Sequence, residues 1–229
     1  MATETIKYGK DDMKYALFDL DGTLTDPGLG ITNSVMYALR KFGIEVSDRR
    51  KLYGFIGPPL TDSFEEYYGF SKEDSLLALK YYREYFREKG IFENTPYEGV
   101  SEMLADLRSH GVRLAVATSK PEEFAVRILK HFELFDFFDL VAGATMDETR
   151  NRKEDIIRYA LEISGAANKA QAVMVGDRLH DIEGAKKNGL LSIGVLYGYG
   201  SREELTSAGA DMLAETPSDV AELIQKIDH

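Results

Sequence analysis

The stretch KYALFDLDGTLTDPG, residues 14–28, runs an apolar segment straight into two aspartates separated by one residue, followed by a glycine and a threonine. Residues 14–18 are too short and too continuously apolar for an amphipathic helix, and the run halts at Gly22, the pattern of a central parallel strand. Asp19 and Asp21 then stand at its carboxyl end. Side chains alternate along a strand, so the two start on the same side, where paired carboxylates repel unless a cation or a shared proton relieves them. The segment therefore predicts positive charge at the end of a buried strand. A D-x-D pair also opens an EF-hand loop, but counted from Asp19 that loop needs glycine where Leu24 stands and a bidentate glutamate where Gly30 stands.

Working outward, four more runs read as strands: residues 113–118 (RLAVAT), 140–143 (LVAG), 171–176 (QAVMVG) and 191–196 (LSIGVL). Helical spacing of apolar residues separates them, over 100–110, 121–131, 152–164, 181–188, 202–208 and 219–227. Ser119 with Glu122, and Ser201 with Glu204, have capping-box spacing and predict helix starts just after two strand ends. Strand and helix alternate from residue 98 onward, which implies a doubly wound (Rossmann-like) parallel α/β sheet. Between the first strand and the second, residues 19–112, lie 94 residues with no convincing strand, too many for a simple crossover. Helical periodicity at 31–42, 60–68 and 71–89 predicts a small inserted α-helical cap domain, entered near Asp26-Pro27-Gly28 and left near Asn94-Thr95-Pro96. The expected division is a discontinuous core, residues 1–26 and 98–229, with a cap at 27–97.

The chain has 229 residues, 44% of them hydrophobic, enough for a sizeable core in one large or two small domains. No apolar run approaches the roughly 20 residues of a membrane span, and residues 1–13 lack the apolar core of a secretory signal, so a cytoplasmic protein with no membrane partner is expected. There is no cysteine, hence no disulfide framework or thiol nucleophile, which fits a reducing compartment. A formal charge of −11 argues against binding a nucleic-acid polymer, which needs Lys and Arg to neutralise phosphates. An anionic ligand would require positive charge concentrated locally.

The later strands end in residues suited to such a ligand, and sheets of this kind bind beyond the carboxyl ends of their strands at the topological switch point. Thr118 ends one strand, Asp177 follows another in VMVGDRLHDIEGAKKNG with Asp181 four residues on, and Lys153 opens a helix just ahead of that strand. With these motifs in order, the sequence resembles the haloacid dehalogenase superfamily, and within it the phosphoglycolate phosphatase-like phosphatases that carry a helical cap after the first motif. The resemblance spans nearly the whole chain, from Tyr15 to Ile227, with Asp19-Leu20-Asp21-Gly22-Thr23, Thr118, Lys153 and Gly176-Asp177-Arg178-Leu179-His180-Asp181 as its four motifs.

The resemblance implies a magnesium-dependent phosphatase. Asp19 would attack phosphorus and form an aspartyl-phosphate, while Asp21 protonates the leaving oxygen and later takes a proton from water. Mg2+ would bind Asp19, the backbone carbonyl of Asp21, and Asp177. Asp181 is left between direct metal binding, orientation of the metal's waters, and a plain helix N-terminal carboxylate. Thr118 and Lys153 would hold phosphoryl oxygens, with Gly22, Thr23, Ser119 and Lys120 around the phosphate. Lys120 competes with Lys153 for that contact or is a solvated loop lysine. Arg150, Arg152 and Arg178 read as surface charges, and His180 receives no role. In the cap, GFIGPPLTDSF at 54–64 resembles the loop that such relatives turn toward the active site, which makes Thr61 a candidate substrate contact, whereas the cap's Tyr and Phe residues read mainly as its core.

The expected partner is a small phosphorylated metabolite, handled by a monomer or homodimer. A 5'-nucleotidase or a sugar-phosphate mutase would share the same motifs. A phosphoryl-accepting signalling receiver also combines an acidic site with Thr and Lys, but it carries its phosphoacceptor on a later strand and has no cap. A dehalogenase has no need of Asp21, and a catalytically dead relative would be expected to have lost Asp19 or Asp21.

Overall fold

The structure, a computed structural model, describes residues 15–165 and 172–227. The outer residues of two expected strands, Lys14 and Gln171, and the N-terminal stretch lie outside these. Strand β1 (Tyr15–Phe18) is followed by β2 (Thr25–Asp26), helix α1 (Gly28–Lys41), α2 (Leu60–Tyr68), α3 (Lys72–Glu88) and β3 (Thr95–Pro96). Then come α4 (Val100–Ser109), β4 (Arg113–Pro121), α5 (Glu122–His131), β5 (Leu140–Ala144), α6 (Lys153–Ser164), β6 (Ala172–Gly176), α7 (Leu179–Asn188) and β7 (Leu191–Val195). The chain closes with α8 (Arg202–Ala208), β8 (Met212–Ala214) and α9 (Pro217–Lys226).

Six strands form one sheet in the order β5-β4-β1-β6-β7-β8, and each pairing is parallel. The continuous apolar run of β1 follows from its place between β4 and β6, where both faces are covered. Ala16 and Phe18 point into one layer, with Leu104 of α4, Phe124 of α5 and Ile224 of α9. Leu17 points into the other, with Ile156 and Ala160 of α6 and Ala185 of α7. The chain leaves β1 toward β4 and β5, then crosses back to β6, so the carboxyl ends of β1, β4 and β6 meet at the switch point. The doubly wound α/β class expected from the sequence is the observed one.

Several boundaries depart from the expectation, among them the starts of α1 and α9, which come three and two residues early. Strand β4 runs on through Ser119 and Lys120 to Pro121, because the residue before a proline is held to extended backbone, so helix α5 starts at Glu122 without a side-chain cap. The Ser119 and Glu122 capping box is therefore not formed. Ser201 does cap α8, its Oγ accepting the Glu204 N–H at 3.0 Å, but the Glu204 carboxylate turns away to Arg178. Helix α7 begins at Leu179, two residues early, and the three-residue strand β8 is too short to leave a periodic signal.

The segment between β1 and β4 is helical apart from two short strands. β2 and β3, at the expected entry and exit, pair antiparallel, Thr25 with Pro96 and Asp26 with Thr95. The aromatic residues of the helices pack mostly on one another: Phe64 stacks on Phe70 with ring centroids 5.8 Å apart, and Phe42 lies 4.6 Å from Phe70. Phe86 of α3 reaches across to Phe124 of α5, edge to face at 5.5 Å. That contact joins the inserted helices to the apolar layer above the sheet.

Candidate active site

Asp19 and Asp21 lie just beyond β1, both buried. The Asp19 amide donates to the Val175 carbonyl at 2.9 Å, which carries the β1–β6 pairing one step past the strand and fixes the backbone there. Asp19 Oδ1 accepts the Leu20 N–H at 2.7 Å and faces Lys153 Nζ at 3.0 Å. Lys153, at the start of α6 and 4% exposed, also donates to the Ala117 carbonyl at 3.0 Å and pairs with Asp181 at 2.9 Å. Burial penalises its charge, yet Asp181 and Asp19 outweigh that penalty and hold its pKa above the ordinary lysine value, so it stays an ammonium.

Asp177, fully buried after β6, accepts the Tyr199 N–H on Oδ2 at 2.7 Å, and its Oδ1 has no hydrogen-bond partner among the described residues. Burial, with Asp181 and Asp19 beside it, pushes its carboxyl well above the usual range. Asp181 accepts the Arg178 N–H on Oδ2 at 3.0 Å, as an N-terminal helix carboxylate does, while its other oxygen faces Lys153. Of the three readings left open for it, the helix N-terminal carboxylate is the one this bond forms, and it leaves the oxygen facing Lys153 beside Asp19 and Asp177. Burial pushes its carboxyl up to about 6 against the pull of Lys153.

Carboxylate oxygens of Asp19, Asp177 and Asp181 lie within 4.8 Å of one another. Three buried acids set against one ammonium, with an orphaned Asp177 Oδ1, fit a hard divalent cation such as Mg2+, which takes oxygen ligands. Gly22 belongs to this construction. Its φ of +81° lies in the left-handed region, and a Cβ there would overlap the Asp177 carboxylate, so the glycine makes room for that acid.

Asp21 points the other way. Its Oδ2 meets Lys120 Nζ at 2.7 Å, and the ammonium lies 4.5 Å from the centre of the Phe86 ring in α3. Burial raises the Asp21 carboxyl against the pull of Lys120. Lys120 is therefore a buried partner of Asp21 and not a solvated loop lysine, while Lys153 belongs to Asp19. Both residues face a cavity of about 70 Å³, closed on the other side by Phe55, Pro58, Tyr82 and Phe86 of the inserted helices.

Ser119 lines the same cavity. Thr118 is buried, its Oγ1 accepting the Lys120 N–H at 3.2 Å. Thr23 is fully buried in the turn after β1, and Thr61 lies half-buried in the first turn of α2. Neither lines this cavity; the 54–64 loop presents Gly57, Pro58, Pro59 and Leu60 instead.

Three features escaped the sequence reading. Arg178 is no surface charge: its Nη1 donates to the Ile56 carbonyl at 2.5 Å and its Nε to Glu204 at 2.9 Å, tying the residue after Asp177 to the 54–64 loop. The loop after β7 lies under the acids, with Tyr199 bonded to Asp177 and its hydroxyl to Asp26, and Tyr197 donating to the Thr23 carbonyl at 3.2 Å. Arg150 bonds the Gly143 carbonyl at 3.1 Å and stacks over Tyr159. A lone arginine or tyrosine carries no sign in sequence of the distant carbonyl it will meet.

Comparison with known proteins agrees with this arrangement. Residues 16–195 match the family model described as haloacid dehalogenase-like hydrolase. A 5'-nucleotidase from Pseudomonas aeruginosa is 47% identical over 82% of this chain and 85% of its own length. The tyrosine-protein kinase PtkA from Mycobacterium tuberculosis is 38% identical over 93% of this chain and 69% of its own. A crystal structure of a predicted phosphatase from Clostridium acetobutylicum superposes with a TM-score of 0.91 at 48% identity, covering 93% of this chain and 99% of that one. With the four motifs gathered at one end of the sheet and the match running through all of them, the chain belongs to the haloacid dehalogenase-like hydrolases.

Proposed function

We propose that the protein is a magnesium-dependent phosphatase that hydrolyses small-molecule phosphomonoesters of the phosphoglycolate, sugar or nucleotide type through an aspartyl-phosphate on Asp19. The observation that carries this reading is the pair of adjacent carboxylates with different partners: Asp19 beside Lys153 and the acids, Asp21 beside Lys120 and the cavity. A carboxylate oxygen of Asp19 bonds to phosphorus as the ester bond to the leaving group breaks, and Asp21 in its acid form gives that oxygen a proton. Water then attacks the phosphorus of the aspartyl-phosphate, Asp21 takes up the proton it loses, and inorganic phosphate departs with Asp19 restored. Thr118 and Lys153 supply the hydrogen bond and positive charge that phosphoryl transfer depends on. Asp19, Asp177 and Asp181 are the side chains that would hold Mg2+, which when bound offsets the charge of the acids and of the phosphoryl oxygens.

The test is phosphate release with magnesium from phosphoglycolate, sugar phosphates, nucleoside monophosphates, pyrophosphate and p-nitrophenyl phosphate. Release that requires magnesium and prefers one class of ester supports the reading; the absence of release from every compound removes it. A 5'-nucleotidase is the second reading, favoured by the name of the relative at 47% identity. It predicts nucleoside monophosphates as the preferred class.

A further inference from the structure

The cavity beside Asp21 and Lys120 is separated from an open groove of about 650 Å³ along the outer side of α3. Three residues line both spaces: Leu79, Arg83 and Glu148. Arg83 comes from α3 and Glu148 from the loop between β5 and α6, and their side chains meet at 2.6 Å while remaining 21% and 26% exposed. The ion pair is thus the polar part of a wall whose inner face looks onto the catalytic side and whose outer face looks onto the groove.

The loop is built to present Glu148. Glu148 has a φ of +64°, a left-handed backbone that an ordinary side chain adopts only when its surroundings impose it. The surroundings are explicit. The Glu148 amide donates to the Thr145 carbonyl at 3.2 Å, and Asp147 Oδ1 accepts from the Thr149 amide at 3.2 Å and from the Thr149 hydroxyl at 2.8 Å. Arg83 holds the loop from the other side, donating to the Met146 carbonyl at 3.2 Å. A strained residue kept beside a cavity indicates a site whose position matters.

Size gives the wall its consequence. At about 70 Å³ the cavity is small beside the groove of about 650 Å³, so a long leaving group has more room outside the wall than within it. We propose that the Arg83–Glu148 pair is the gate that selects leaving groups by length: short ones fit the cavity beside Asp21, and longer ones must part the pair and lie along the α3 groove. The proposal rests on the phosphatase reading of the site and adds the residues that select among its esters. Neither residue touches the reacting atoms; their role is specificity.

The experiment measures kcat/KM for phosphoglycolate, glycerol 3-phosphate, ribose 5-phosphate and AMP with the wild type and with Arg83→Ala and Glu148→Gly. Glycine suits the left-handed backbone at 148, so the second variant removes the pair without straining the loop. The AMP to phosphoglycolate ratio is expected to rise about tenfold in both variants, the scale at which pocket contacts discriminate. The charge-swapped double variant Arg83→Glu/Glu148→Arg is expected to bring it back toward wild type. Ratios that are unchanged or lowered in an active enzyme overturn the gate and leave the phosphatase reading intact. A wild type inactive on every ester overturns both.

Discussion

At the scale of single residues, the buried acids divide among three partners: Asp21 faces Lys120, Asp177 accepts the Tyr199 N–H, and Asp19 and Asp181 share Lys153. Lys153 is the most exposed to test because it serves Asp19 and Asp181 at once. Replacing it with methionine leaves buried carboxylates without their counter-charge, a loss expected to destabilise the fold by about 3–5 kcal/mol. Urea unfolding at neutral pH measures it, and a loss below about 1 kcal/mol would show the acids to be relieved elsewhere. Gly22→Ala is expected to abolish turnover, since the added Cβ overlaps the Asp177 carboxylate and the φ of +81° disfavours any side chain. Both aspartates of the opening segment were legible because they interrupt an apolar run, where a charge has few structural reasons to be. Their division of labour was not legible, because it depends on which lysine each side chain turns toward, and Lys120 and Lys153 are both far along the chain.

At the scale of elements, the strand ends and the helix starts share the work. Asp21 beyond β1, Asp177 beyond β6 and Asp181 at the start of α7 have pKa values raised by burial, with Asp181 at about 6. For carboxyls raised in the folded state the sign is clear: the unfolded chain ionises first, so stability is lost as pH rises from the ordinary value of 3.8 through about 6. A divalent cation binds the ionised acids and must displace their protons. Magnesium is therefore expected to raise Tm more at pH 7.5 than at pH 5, and equal shifts at the two pH values in a thermal melt would contradict this. Arg178 links the start of α7 to the 54–64 loop by one bond to the Ile56 carbonyl. Arg178→Ala is expected to raise KM several-fold with a smaller change in kcat, because the loop loses its anchor while the acids stay in place. An unchanged KM would show that the loop is held without it. The strands were legible from their continuous apolar runs, and the helices between β1 and β4 from their periodicity. The early end expected for β4 was wrong because a capping pattern at Ser119 outweighed Pro121 in the reading, whereas the proline's restriction on Lys120 decides the backbone.

At the scale of the molecule, the order β5-β4-β1-β6-β7-β8 brings residues 19–21, 118–120, 153 and 177–181 to one edge, and the helical insertion roofs the cavity above them. That much follows from alternating strands and helices with an insertion after the first strand. The roof's attachments were not legible, since Phe86 on Phe124, Arg83 with Glu148 and Arg178 with Ile56 all join residues distant in sequence. The insertion roofs the cavity and is joined to the rest at the paired crossings of β2 and β3, about which it is expected to move when substrate binds. Solution scattering is expected to show a more compact particle with magnesium and a phosphate mimic than without them; identical curves would count against the movement. The central claim is that Asp19 is the nucleophile of a phosphatase, and its most direct test is phosphate release from the best ester by wild type and by Asp19→Asn, with the fold of both checked by circular dichroism. The account predicts release by the wild type and none above background by a folded Asp19→Asn variant. A folded variant that releases phosphate at near wild-type rate would contradict it.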